Sequence, residues 1–199
     1  MDKVSNKKLD KEKRLLDTAF KLFTEKGIKE TSIQSIVDEA DVGKGTFYLY
    51  FKDKYQLRDV LIARKSQKLF DDALNSLKKH YIENFSDQIV FIINYVIDEL
   101  NKNQLLLKLI SKNLSLGVYN ETIQKISLTS SLTAESSLHD LVVNGVKKNN
   151  IRLENPDVTL YIIIELVSST CFNSILYKDP LPIEEFKPHL YKVIKNLIE

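Results

Sequence analysis

Between Thr31 and Lys54 the sequence TSIQSIVDEADVGKGTFYLYFKDK gathers side chains suited to one kind of chemistry. Lys44, Thr46, Tyr48 and Tyr50 carry hydrogen-bond donors, and Gly45 leaves room for another surface to come close. Such a set fits an anionic groove: donors for phosphate oxygens, and a few side chains that reach base edges. The Tyr48 ring can also pack on a thymine methyl. Asp53 reads as the N-cap of a helix, with Gln56 completing the box. That puts Lys54 in a first turn, where a lysine and free N–H groups form an anion site.

Two short helices and a tight turn must position these groups. Ile33, Ile36, Val37 and Ala40 recur at i, i+3, i+4 and i+7 and share one face. Thr31 is the expected N-cap of this helix, with Gln34 closing a capping box. Asp41-Val42-Gly43 is the turn, with Gly43 expected to take the positive φ. The second helix runs from Lys44 to about Phe51. Phe47 and Phe51 face inward. Gly45, Tyr48, Leu49 and Lys52 face the other way, with Thr46 and Tyr50 on the flanks. An apolar inside and an aromatic, hydroxyl and lysine outside make the pattern of a helix-turn-helix.

The residues Ala19-x-x-Leu22-Phe23-x-x-Lys26-Gly27, Thr31-Ser32-Ile33-x-x-Ile36 and Ala40-x-Val42-x-Lys44-Gly45-Thr46-Phe47-Tyr48-x-Tyr50-Phe51-x-x-Lys54-x-x-Leu57 extend that pattern. In order and spacing this stretch resembles the DNA-binding domain of TetR/AcrR-family transcriptional regulators, over about the first 58 residues. The remainder fits that family's architecture without a comparable motif. The candidate DNA-binding residues are Thr31, Ser32, Lys44, Gly45, Thr46, Tyr48, Tyr50 and Lys54. The expected fold is all-α, about nine helices: a helix-turn-helix domain over residues 1–55 and a helical ligand-binding and dimerisation domain over 56–199.

Composition agrees with that division. With 43% hydrophobic and 28% charged residues over 199 positions, the chain suits a globular protein with a sizeable core. The net charge of +2 says little, but its distribution says more. Residues 1–68 hold 16 Lys+Arg against 11 Asp+Glu, whereas residues 69–199 hold 13 against 16. The basic excess therefore lies on the segment with the helix-turn-helix. The single cysteine, Cys171, excludes an intrachain disulfide and reads as a buried, inert thiol. The first residues lack the apolar core of a signal peptide, and no run reads as a membrane span, so the expected location is the cytoplasm.

Along the chain, residues 1–8 read as a polar arm whose Lys3, Lys7 and Lys8 can meet phosphates. A first helix is expected from Asp10 to Lys26, with Leu16, Ala19, Phe20 and Phe23 inward and Gly27 at C′. A fourth runs from Asp53 to Tyr81 and touches both halves of the molecule. Ser86 is the expected cap of an unusually apolar fifth helix. Gln104–Asn113 reads as the sixth, and Thr122–Ser137 continuing to Lys148 as the seventh, ending in a left-handed Asn149 or Asn150. Asn155-Pro156 opens the eighth, to Tyr177. Pro188 predicts a distorted or late start for the ninth.

The family resemblance implies that the last two helices pair with their copies, giving a homodimer through Val158–Tyr177 and Ile183–Ile198. Residue pattern alone leaves them equally suited to a monomer core. It also implies a small-molecule pocket, with Phe70, Tyr81, Phe91, Tyr95, Tyr119, His139, Tyr161 and Phe172 as candidate lining. The richness in Ile, Leu, Phe and Tyr points to an apolar or aromatic effector. No cofactor is expected. His80, His139 and His189 lie in no metal-ligand spacing, and no phosphate loop or nucleophile motif is present, which disfavours an enzyme. The competing reading is a helical interaction protein of the same fold without an inducer. The presence together of Lys44, Thr46, Tyr48, Tyr50 and Lys54 favours the DNA-binding regulator, most simply a repressor on a palindromic operator.

Overall fold

The computed structural model describes residues 3–110, 113–119 and 137–199, and these are all-α. The helices are α1 (Lys3–Lys26), α2 (Ile33–Glu39), α3 (Lys44–Tyr50), α4 (Lys54–Leu77) and α5 (Phe85–Lys102). They continue with α6 (Gln104–Ile110), α7 (Leu116–Tyr119), α8 (Leu138–Lys148), α9 (Pro156–Tyr177) and α10 (Ile183–Ile198). The expected helix over 122–137 lies outside the described residues except for Ser137, which caps α8 through a capping box with Asp140.

Two apolar clusters organise the helices. The first joins Leu15, Leu16, Ala19, Leu22 and Phe23 of α1 to Ile36, Val37, Ala40, Phe47 and Phe51, and to Leu57, Val60, Leu61 and Ala63 of α4. The second joins Ile62, Leu69, Phe70, Ala73, Leu74 and Leu77 of α4 to the inner faces of α5 to α10. α4 therefore belongs to both, as its apolar stripe predicts. Leu109 of α6 and Leu116 of α7 also pack against both clusters, a second connection that the sequence did not reveal.

Several boundaries differ from expectation, each for a local reason. α1 starts at Lys3, so the polar N-terminal residues extend the helix instead of forming an arm. α4 ends at Leu77, before the expected Tyr81. α5 is capped by Asn84, whose side chain accepts from the Asp87 N–H. Ser86 instead donates to Asn84 and, across the domain, to Glu199 at 2.8 Å. α10 begins at Ile183 and runs through Pro188, where Glu184 forgoes one helical hydrogen bond. Gly27 (φ +83) and Asn150 (φ 52) are left-handed, as expected of helix ends. Contrary to expectation, α9 is long and apolar enough to pass as a membrane span. Its Leu160, Ile163, Ile164, Val167 and Cys171 are buried in the second cluster, which makes it a core helix of this fold. Burial pushes the Cys171 thiol up to about 12, so it is the inert thiol expected.

Polar contacts fix which helices lie side by side. Tyr191 donates to Asn94 at 2.6 Å and Lys187 to Asp98 at 2.5 Å, while Lys195 pairs with Asp87. With Ser86–Glu199, they run along the antiparallel α5–α10 contact. Between the clusters, Glu12 of α1 meets Arg64 of α4 at 2.5 Å, with the carboxylate almost wholly buried. Burial raises the Glu12 pKa, and the Arg64 guanidinium opposes that rise. Such a pair adds little net stability but strands a charge if broken. Arg64→Met is expected to destabilise the protein by about 3 kcal/mol, and adding Glu12→Met to restore most of that loss. Urea melting of the two variants checks this, and an undisturbed midpoint for Arg64→Met would remove the pair from the account.

Candidate nucleic-acid interface

α3 is seven residues long, and it turns two rings inward, Phe47 from the helix and Phe51 from its C-cap. Phe47 and Phe51 are completely buried, their rings 5.7 Å apart. Aromatics at i and i+4 fall on one face, so their burial fixes which face is left outside. The outer arc consists of Lys44, Gly45, Tyr48 and Leu49, all exposed, with Thr46 half-buried at its border. The Tyr48 ring stands edge-on to Phe47 at 5.4 Å, which orients it without burying it.

The turn feeding α3 is built otherwise than expected. Asp41, not Gly43, has the positive φ, at 51°. The Val42 N–H bonds the Val37 carbonyl at 3.0 Å and the Asp41 N–H that of Asp38 at 3.3 Å, a Schellman ending of α2 with Asp at the usual glycine position. Val42 then packs on the first cluster. Gly43 has extended backbone (φ −70°) and serves as the N-cap of α3, its carbonyl accepting from the Thr46 N–H at 2.8 Å. A cap with no side chain still closes the first turn through its backbone.

Three of the expected contact residues face inward or are already engaged. Thr31 is buried, and its hydroxyl donates to the Gly27 carbonyl at 2.8 Å. The N-cap of α2 is its neighbour Ser32, which accepts from the Ser35 N–H at 3.0 Å, while Gln34 bonds Asp38 instead of closing a box. Tyr50 reaches back to α1, its hydroxyl donating to the Lys8 carbonyl at 3.0 Å. Burial, then the Glu12 carboxylate, raises its pKa. Lys54 donates to the carbonyls of Lys29 at 2.9 Å and Thr31 at 2.8 Å, bracing the start of α4 against the loop after α1. Asp53 does cap α4, accepting from Tyr55 and Gln56, but Gln56 bonds the Lys52 N–H and not that of Asp53. Leu49, Lys52 and Tyr55 are exposed nearby and were not among the expected site residues. Helical spacing had placed Leu49 and Lys52 outward. For Tyr55 no sequence signal existed beyond its place in the first turn of α4.

The aromatic residues expected to line a pocket scatter. A wholly apolar, partly open cavity of about 20 Å³ lies among Phe70, Ile89, Ile93, Leu138, Leu160 and Ile164, among others. Of the candidates, Phe70 alone borders it. Tyr81 is 92% exposed in the loop after α4, which overturns its assignment. Phe91 is half-buried against the His80 ring at 4.9 Å, and Phe172 against Tyr177 at 6.0 Å. Tyr95 is half-buried on the second cluster. Tyr119, His139 and Tyr161 do come together, but at the start of α9. There Tyr119 donates to the Asp157 carbonyl at 2.9 Å and its ring meets Tyr161 at 5.7 Å. His139 Nε2 lies 2.6 Å from an Asp157 carboxylate oxygen. Burial, with Asp157 beside it, pushes Tyr119 up to about 12. Among the described residues no group of three His, Cys, Asp or Glu side chains is placed to hold a metal.

Comparison with known proteins agrees with this geometry. Residues 15–61 match the family model described as bacterial regulatory proteins, tetR family. The uncharacterized HTH-type transcriptional regulator YhgD of Bacillus subtilis is 28% identical over 184 residues, covering 88% of this chain and 90% of that protein. The fatty acid degradation regulator FadR from Bacillus halodurans shares the fold with a TM-score of 0.63 at 16% identity, over 94% of this chain and 99% of that one. FadR from Bacillus subtilis, solved in complex with stearoyl-CoA, does so with a TM-score of 0.62 at 16% identity, over 94% and 98%. The helix-turn-helix held by Phe47 and Phe51 thus lies in the segment that matches the tetR-family model, and the chain as a whole shares the all-α fold of these regulators.

Proposed function

We propose that the protein acts in the cytoplasm as a dimeric repressor that lays α3 in the major groove of a near-palindromic operator. A small apolar or aromatic molecule then releases it. The observation that carries the reading is the outer arc of α3. Lys44, Gly45 and Tyr48 stand in solvent on a short rod fixed from below by two buried rings. Lys44 and Thr46 supply donors to phosphates, Gly45 admits the backbone, Tyr48 reaches the bases, and Ser32 stands exposed at the start of α2. Thr31, Tyr50 and Lys54 support this surface from behind. The working division is a DNA unit over residues 1–55 and a ligand and dimerisation unit over 56–199, with α4 continuous across the boundary.

Dimerisation has its own support. α9 buries one side in the second cluster and exposes Val158, Tyr161, Ile162 and Tyr177 on the other, while the adjoining α10 exposes Val193 and Leu197. Apolar residues on both sides of a helix call for a second neighbour. A C2 pairing of these helices covers both copies of the patch at once and presents two reading helices to one duplex. For the effector, the cavity wall is entirely apolar, and Phe70 joins it to the bridging helix. The stearoyl-CoA bound by one protein of this fold has an apolar chain of the kind such a wall suits.

Gel-shift titration against duplexes selected from genomic fragments tests the reading. The logarithm of affinity should fall steeply with that of salt, with a slope of about 0.9 per phosphate neutralised. Indifference to DNA at low salt would instead support a helical interaction protein. An added Cβ at Gly45 would meet no atom within 4 Å. Gly45→Val should therefore leave thermal stability within about 1 kcal/mol while weakening operator binding at least tenfold, because the new side chain fills space reserved for DNA. Retained affinity in this variant would move the interface elsewhere. Ile162→Glu with Val193→Glu should give a folded monomer by sedimentation, with operator affinity reduced in step. A variant that remains dimeric would place the pairing surface away from α9 and α10.

A further inference from the structure

The outer arc of α3 includes one side chain that the fold itself does not use. Leu49 is 82% exposed and belongs to neither apolar cluster. A lone exposed leucine is ordinary on a protein surface. Leu49 differs in its company, because it shares its arc with Lys44, Gly45 and Tyr48 on the element proposed to enter the groove. Helical spacing sets Leu49 four residues after Gly45, flanking the point where the backbone comes closest to DNA. Tyr48, by contrast, is turned edge-on against Phe47, which restricts how its ring can meet a base.

A leucine side chain neither donates nor accepts a hydrogen bond. In the major groove, purine edges and cytosine present polar atoms to be satisfied. The C5-methyl of thymine is the apolar feature there, and burying it against Leu49 removes both from water. We infer that Leu49 is a specificity-determining residue that reads a thymine methyl at one position of each operator half-site. This rests on the DNA-binding reading above and goes beyond it by assigning the base and the group recognised.

The experiment uses the full chain. Duplexes are selected by the purified protein from a random-sequence pool. Each dT of a selected duplex is then replaced in turn by dU, which keeps the pairing and polar edges but lacks the methyl. Affinities are measured by fluorescence anisotropy for the wild type, Leu49→Ala and Lys44→Ala. At one dT per half-site, the wild type should lose about fourfold in affinity on changing dT to dU, the factor for burying one methyl group. Leu49→Ala, which alters both half-sites of the dimer, should bind the dT duplex at least as weakly as the wild type binds a duplex with dU at that position in both half-sites, and should no longer distinguish dT from dU there. Lys44→Ala should weaken both duplexes equally and keep the distinction. A dU penalty that persists in Leu49→Ala, or wild-type binding indifferent to dU at every position, overturns the inference while leaving DNA binding intact. Unchanged DNA affinity with lowered self-association in Leu49→Ala also overturns it and assigns Leu49 to contact between copies. Failure to select any duplex overturns the DNA-binding reading and this inference together.

Discussion

One helix belongs to two cores. α4 buries Leu57, Val60, Leu61 and Ala63 among the residues that hold α3, and Leu69, Phe70, Ala73 and Leu77 among those of the larger domain. Between Leu57 and Phe70 the helix has no proline or glycine that would absorb a bend. Packed interiors resist small displacements and shift between discrete arrangements. A displacement of Phe70 is therefore felt at Leu57, about 20 Å away along the rise of the helix. The Glu12–Arg64 pair and the Lys54 contacts to Lys29 and Thr31 tie α1 and its following loop to the same helix. α6 and α7 add the contact through Leu109 and Leu116, so the larger domain grips the smaller from two directions.

That constraint explains why residues of the family signature divide into two kinds. Phe47, Phe51, Tyr50, Lys54 and Thr31 set where α3 stands, through buried rings and through hydrogen bonds to backbone carbonyls. Lys44, Gly45 and Tyr48 are what α3 then presents. A lysine with two carbonyl partners is held in one geometry and contributes to precision. An exposed lysine contributes charge. Spacing in the sequence is blind to this difference, because Lys44 and Lys54 carry the same group on equally helical segments.

What was legible followed from periodicity. The apolar stripe of α4, the i and i+4 phenylalanines of α3 and its C-cap, and the Asn155-Pro156 start of α9 are strong local signals, and the helices stand where those signals put them. Caps were less legible because adjacent polar residues compete. Thr31 and Ser32, or Asn84 and Ser86, offer equivalent acceptors, and tertiary packing chose between them: Thr31 was drawn inward to the Gly27 carbonyl and Ser86 to Glu199. The left-handed residue after α2 was misplaced for a related reason. Glycine is the easier occupant, but the Schellman geometry counts residues from Ala40, and Asp41 holds the required position. Pocket residues were least legible. An aromatic at helical spacing announces burial, yet the cavity wall is mostly aliphatic and drawn from α4, α5, α8 and α9 together.

The size of that cavity bears on the effector proposed above. At about 20 Å³ it has room for little more than a water, and its wall offers no polar group to hold one. As packed here, the larger domain has no room at this place for a metabolite. Any molecule of metabolite size that occupies this place must part some of the helices around it; α5 and α9 supply most of the wall and α4 supplies Phe70. It thus binds a different packing from the one described, and the free-energy difference between the two packings is deducted from its affinity. Through Phe70, its one residue on the cavity, α4 is the route by which such a repacking would reach the support beneath Phe47 and Phe51. Under the proposed function, an occupant of the cavity then competes with a duplex on the outer arc of α3.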